Sequence, residues 1–62
     1  MWTSYDDYID ALKAMAEPTR FRLTRLCAQG ELTVSELMRI VGQSQPRVSR
    51  HLKLLQDAGV LE

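Results

Sequence analysis

The chain has 62 residues, eight basic and eight acidic side chains, one cysteine and one histidine, which leaves room for one small domain of zero net charge. Cys27 and His51 alone can build neither a disulfide nor a zinc site, so no metal and no cofactor are expected in this segment. No run of about 18 apolar residues offers a membrane span, and the acidic start MWTSYDDYID is unlike a secretory signal, so a reduced, cytoplasmic setting is the expectation.

The pattern predicts four helices in chain order. The first opens at Ser4, a capping residue, with Asp6 and Asp7 in the first turn where the helix dipole favours acids. Tyr5, Tyr8, Ile9, Leu12, Met15 and Ala16 follow at amphipathic spacing and predict the apolar face. The second starts near Pro18, whose fixed φ suits a first turn, and runs to Gln29, with Gly30 as a left-handed stop. Leu23, Leu26 and Cys27 line one side of it, and Phe21 and Ala28 another, as in a helix central to a bundle. Thr33 and Glu36 form a T-x-x-E capping box that starts the third, with Val34, Leu37, Met38 and Val41 as its inward face and Gly42 as its end. Ser44 is the expected cap of the fourth, and Pro46 falls in its first turn. Val48, Leu52 and Leu55 point inward together, and the helix ends near Ala58 before Gly59. Val60, Leu61 and Glu62 read as the beginning of a strand.

A domain of about this size buries only roughly 60% of the surface its unfolded chain exposes, so support from a partner chain or from further sequence is expected. Met15 and Met38 read as core fillers, and Cys27 as a small apolar residue on the second helix. His51 lies at the edge of the inward arc, where partial burial and a structural hydrogen bond are expected. Arg20, Arg22 and Arg25 read as the solvated or ion-paired side of the second helix, with a second phosphate patch as the alternative. Met1 and Trp2 are too near the terminus to assign.

The third helix, a four-residue break containing Gly42 and then the fourth helix have helix-turn-helix spacing, across residues 33–58. In that geometry the N-terminal part of the second of the two helices meets base edges in a major groove. Charge is segregated to match: residues 1–12 carry Asp6, Asp7 and Asp10 without a base, whereas residues 44–56 carry Arg47, Arg50 and Lys53 without an acid. A polyanion responds to the local field of such a face, so neutral net charge does not exclude nucleic acid. On a helical wheel Pro46, Ser49, Arg50, Lys53 and Asp57 gather opposite the apolar arc, Arg47 flanks them, and Ser44 and Gln45 stand at the helix start. Arginine bonds guanine O6 and N7 together, glutamine bonds adenine N6 and N7, and hydroxyls and lysine suit phosphate. The competing reading is a protein–protein interaction or regulatory module of a larger protein, and the run GQSQPRVSRHLKLL also looks like domains that precede a fused methyltransferase domain. Catalysis is not expected, because the sequence has no nucleophile–base pair, carboxylate dyad or glycine-rich phosphate loop.

Two runs carry a resemblance. Leu12 to Arg20 matches Leu-x-x-Leu-Ala-(Asp/Glu)-Pro-Thr-Arg with Met15 at the second leucine, and Ser44 to Lys53 matches Ser-Gln-x-x-Val-Ser-(Arg/His)-His-Leu-Lys. The chain thereby resembles the DNA-binding core of the ArsR/SmtB family of bacterial winged-helix repressors. The resemblance implies a mostly α, winged helix-turn-helix domain over residues 1–62 with the wing strand only begun. It also implies a homodimer formed through the first and last helices, with Tyr8, Ile9 and Leu12 contributing and the last helix lying beyond residue 62. The partner it implies is double-stranded operator DNA, contacted through Ser44, Gln45, Arg47, Ser49 and Arg50; Lys53 joins them from the helical wheel. One departure concerns sensing: arsenic and cadmium sensors carry Glu-Leu-Cys-Val-Cys-Asp-Leu in the third helix, and this chain has Thr33 and Ser35 where the thiolates would be. Soft-metal binding at that place needs sulfur.

Overall fold

The computed structural model describes residues 2–61, which form α1 (Tyr5–Met15), α2 (Pro18–Gln29), α3 (Val34–Val41) and α4 (Gln45–Asp57). The described residues contain no strand. Of Val60, Leu61 and Glu62, read from sequence as the start of one, Glu62 lies outside the described residues, and Val60 and Leu61 instead direct their N–H groups back to the Leu55 carbonyl at 2.9 and 3.3 Å. This turn satisfies backbone groups that a lone strand would leave unpaired.

Three of the four helix starts are capped by a side chain. Ser4 and Asp7 form a reciprocal capping box: Asp7 N–H donates to Ser4 Oγ, and Asp7 Oδ2 accepts from Ser4 N–H and from Thr3 N–H. The Thr33–Glu36 box at α3 is reciprocal in the same way. Pro18 opens α2, as the sequence predicts, but the cap before it is Glu17, whose carboxylate accepts from Thr19 N–H at 3.1 Å and Arg20 N–H at 3.0 Å. Ser44 stands at the N-cap position of α4 with no side-chain cap bond, contrary to expectation. A capping hydroxyl accepts from the second or third helical N–H; Pro46 removes the second, and the third, of Arg47, makes no bond to Ser44 Oγ here.

The ends differ too. Gly42 closes α3 in the left-handed region at φ 69°, and its N–H donates to the Met38 carbonyl at 2.8 Å. Gly30, the expected left-handed stop of α2, is extended instead at φ 160°, ψ 179°, so that position makes no demand for glycine. A Cβ on Gly42 would meet nothing within 4 Å, so the cost of Gly42→Ala is purely the backbone's. It is expected to destabilise by about 1–2 kcal/mol, and Gly42→Asn by less, because asparagine tolerates this region. Thermal unfolding of the two variants checks the order.

Leu23 of α2, Leu37 of α3, and Val48 and Leu55 of α4 form the buried centre, with Met15, Leu26, Cys27, Met38, Val41 and Leu52 packed around it. Central α2 touches the other three helices. Its second apolar side does not close, however: Phe21 and Ala28 are exposed, and so is Val34 on α3. The largest revision concerns α1. Ala11 is its one buried residue and Ala14 and Met15 pack on the core, while Tyr5, Tyr8, Ile9 and Leu12 stand 90%, 51%, 45% and 59% exposed. The small side chains bring α1 close to α2 and α4, and the large ones form an outward apolar stripe.

A contact across almost the whole chain ties the ends together. Trp2 Nε1 donates to the Gly59 carbonyl at 3.1 Å, and its ring meets Tyr8 edge-on at 5.7 Å between centroids. Gly59 has φ 77°, and a Cβ there would lie 2.8 Å from Trp2 Nε1.

Candidate nucleic-acid interface

Val48 and Leu55 are fully buried and anchor α4, so the opposite side of that helix must face outward. Ser44, Gln45, Arg47, Ser49, Arg50 and Lys53 are all exposed on α4 or at its start. These are the six residues singled out from the sequence, and each is exposed. Its first acid is Asp57, at the far end. Lys53 Nζ pairs with Asp57 Oδ2 at 3.5 Å between side chains 74% and 61% exposed. An exposed pair of this kind contributes at most about 1 kcal/mol, so it leaves Lys53 available to a stronger anion.

The break between α3 and α4 is residues 42–44, one residue shorter than the sequence spacing indicates. It is held from outside: Gln43 Nε2 donates to Thr19 Oγ1 at 2.9 Å, joining the turn to the first turn of α2. The start of α4 is therefore positioned by Gly42 within the turn and by α2 beside it.

A polar junction sits where α1, α2 and α4 meet. Arg20 Nε donates to the Ala14 carbonyl near the end of α1 at 2.6 Å. Arg20 Nη1 lies 3.3 Å from His51 Nδ1 on α4, and Glu17 Oε2 lies 3.7 Å from the same His51 nitrogen. His51 is thus part-buried and hydrogen-bonded, as the sequence predicts, while Arg20 separates from Arg22 and Arg25, which are exposed. Sequence reasoning missed Glu17 because glutamate is an uncommon N-cap, and it missed Gln43–Thr19 and Arg20–His51 because those partners are distant in the chain. The available signal was Pro18 itself, since the residue before a helix-opening proline occupies the cap position.

Three carboxylates at helix starts titrate below their ordinary values. At Asp7 the first cause is the hydrogen bond from Thr3 N–H, and at Glu36 it is the bond from Thr33 N–H. At Glu17 partial desolvation pushes the carboxyl up, but the Arg20 and Thr19 N–H groups together with the charges of His51 and Arg20 outweigh it and hold the group down. A folded-state value below the unfolded one means that the stabilisation is complete above the ordinary value of 4.5 and is lost as pH falls through the folded value. The stability gap between the native chain and Glu17→Gln is therefore expected to be largest at neutral pH and to shrink in acid. Urea unfolding at neutral pH and well below pH 4.5 measures it; an unchanged gap would show that Glu17 acts through shape alone.

The described residues hold no group of three or more His, Cys, Asp or Glu side chains that could bind a metal ion, and no helix is long and apolar enough to cross a membrane. What the site presents is a row of hydrogen-bonding and cationic side chains on a helix braced by three others.

Comparison with known proteins gives this arrangement a family. Residues 17–62 match the model of the bacterial regulatory proteins of the arsR family. The chain is 50% identical over 50 residues to an arsenic resistance transcriptional regulator of Pseudomonas putida, covering 79% of this chain and 39% of that one. It is 43% identical over 54 residues to the arsenical resistance operon repressor of Escherichia coli, covering 86% and 46%. Over 57 residues it is 32% identical to a biofilm growth-associated repressor of Xylella fastidiosa, covering 92% and 50%. The chain thus spans half or less of the length of these relatives. No solved structure matches it significantly. With the family match spanning α2 to α4, helix-turn-helix included, the chain belongs to the arsR family of bacterial regulatory proteins.

Proposed function

We propose that this chain is the DNA-binding part of a transcriptional repressor, and that α4 lies in the major groove of its operator. The observation that carries this reading is the outward surface of α4: Gln45, Arg47, Ser49 and Arg50 are exposed together, free of acids, on a helix whose other side is locked by Val48 and Leu55. Arg47 and Arg50 suit guanine, Gln45 suits adenine, and Ser44, Ser49 and Lys53 suit phosphate. Family membership supports the reading, since the relatives are named as repressors and regulators. The chain acts by occupying DNA and not by catalysis, and it works inside the bacterial cell.

The exposed stripe of Tyr5, Tyr8, Ile9 and Leu12 supports self-association through α1. A two-fold dimer would set two copies of α4 about one helical turn of DNA apart, roughly 34 Å. Thr33 and Ser35 offer no thiolate on α3, so a thiol-based arsenic or mercury response through that helix is not part of this proposal.

Binding to a duplex selected by the chain from a random pool tests the reading. Anisotropy at rising salt is expected to show a steep fall in affinity, with log K falling by about 0.9 per phosphate contacted for each unit of log salt. Binding that ignores salt, or selection that enriches no sequence, would overturn it.

A further inference from the structure

One cleft opens at the edge of the proposed base-reading surface, shares Arg47 and Arg50 with it and extends to residues that surface does not use. It measures about 350 Å³ and is lined by Arg20, Arg47, Arg50, His51 and Leu54. Four of the five are basic or carry a ring nitrogen, and no acid lines it. Arg47, Arg50, His51 and Leu54 are spaced i, i+3, i+4 and i+7, so they form one edge of α4. Arg20 faces them from α2.

We propose that this cleft clamps one backbone phosphate of the bound DNA, adding Arg20 and His51 to the interface. The proposal rests on α4 being the groove-reading helix. An α-helix with its side chains is about 10–12 Å across, and the major groove is about 12 Å wide. A helix that fills the groove brings both its edges against phosphate backbones. The edge on one side carries Ser49 and Lys53; the edge on the other side is the wall of this cleft.

The donors are arranged for an anion. A guanidinium has five N–H groups. Arg20 uses Nε on the Ala14 carbonyl, directs Nη1 toward His51 and pairs through Nη1 with Glu17 Oε2 at 3.9 Å, while Nη2 makes no hydrogen bond among the described residues. The Ala14 bond fixes the plane of the group, so its remaining donors are held in place before DNA arrives. His51 Nδ1 lies 3.3 Å from Arg20 Nη1 and 3.7 Å from Glu17 Oε2. Where Nδ1 accepts from Arg20 the neutral ring carries its proton on Nε2, and a charged ring carries one on both nitrogens; the clamp uses these two states, in which Nε2 is a donor, and not the neutral ring that donates from Nδ1 to Glu17. The backbone N–H groups at the start of α2 are not the anion site, because Glu17 already takes those of Thr19 and Arg20.

Phosphate contacts fix register without reading sequence, so Arg20 and His51 are positioning residues. Their loss must weaken all duplexes alike, which separates them from a base contact. The test uses the selected duplex, two variants and single methylphosphonate substitutions that remove one phosphate charge at a time. In His51→Asn the amide oxygen can still accept from Arg20, but the Nε2 donor is gone; Arg20→Gln removes the guanidinium. The native chain is expected to lose affinity severalfold when one particular phosphate on each strand is neutralised. Both variants should be insensitive at that phosphate and unchanged at the others. Arg20→Gln should also lower the salt slope by about 0.9, the value of one contact, with no change in base preference. If Arg20→Gln proves unfolded by circular dichroism, His51→Asn and the phosphate scan decide. Native-like sensitivity of His51→Asn at every phosphate, with binding and salt dependence intact, overturns the clamp while leaving DNA reading by α4 standing. Absence of salt-dependent DNA binding in the native chain overturns both.

Discussion

Leu23→Ala is expected to remove most of the domain's stability. At about 0.05–0.15 kcal/mol per residue, 62 residues carry about 3–9 kcal/mol in all. Leu23 is fully buried between α2 and the Leu37–Val48–Leu55 cluster. Truncating an enclosed leucine costs about 2–5 kcal/mol, as lost transfer energy plus the cavity left behind. Few side chains share the core, so there is little neighbouring mass to collapse into that cavity. A strongly reduced helix signal at room temperature, or a urea midpoint near zero, is the expected result. Phe21→Ala is the matched control: Phe21 lies on the same helix but is 52% exposed, so its loss should cost far less. Comparable losses for the two would contradict the burial pattern described for α2.

Arg47→Ala carries the largest expected effect on recognition. Its side chain leaves α4 one turn from the helix start, where the motif meets base edges. A bidentate guanine contact discriminates against other bases by about 1–3 kcal/mol, which is roughly five- to more than a hundredfold in affinity for the selected duplex. The loss should be specific: binding to unrelated duplexes should fall much less, and reselection with the variant should relax at one base pair per half-site. Lys53→Ala should behave differently, weakening all sequences together and lowering the salt slope by about 1. Equal losses on selected and unrelated DNA would move Arg47 from base reading to the phosphate clamp.

The local elements of this fold were legible in the sequence because local chemistry determines them. Pro18, the Thr33–Glu36 box, Gly42 and the arc of Val48, Leu52 and Leu55 each predict a feature that the structure contains. The orientation of α1 was not legible. Positions 5, 8, 9 and 12 form one stripe and 11, 14 and 15 another, and both are apolar enough to be the buried one. What decides between them is that Ala11 and Ala14 let the helix approach closely, a property of packing against α2 and α4 and not of period. The exposed stripe fits the interface role that the family resemblance implies for Tyr8, Ile9 and Leu12.

For the candidate site the division is similar. All six sequence-chosen residues lie on the outward surface of α4 or at its start, because a helical wheel fixes direction once the buried arc is known. The supports around them, Gln43 with Thr19 and His51 with Arg20 and Glu17, join positions 24 and 31 or more residues apart. No period or spacing predicts such pairs. They are nonetheless what holds the start and one edge of α4 in place.

The most direct measurement of the central claim is a nuclear magnetic resonance titration of the labelled chain with the selected duplex, read amide by amide. Perturbation concentrated on residues 44–50 and on Lys53, strongest at low salt and weak with an unrelated duplex, is the predicted result. Perturbation confined to the apolar stripe of α1, with the amides of α4 unmoved, would contradict the assignment of α4 as the groove-reading helix.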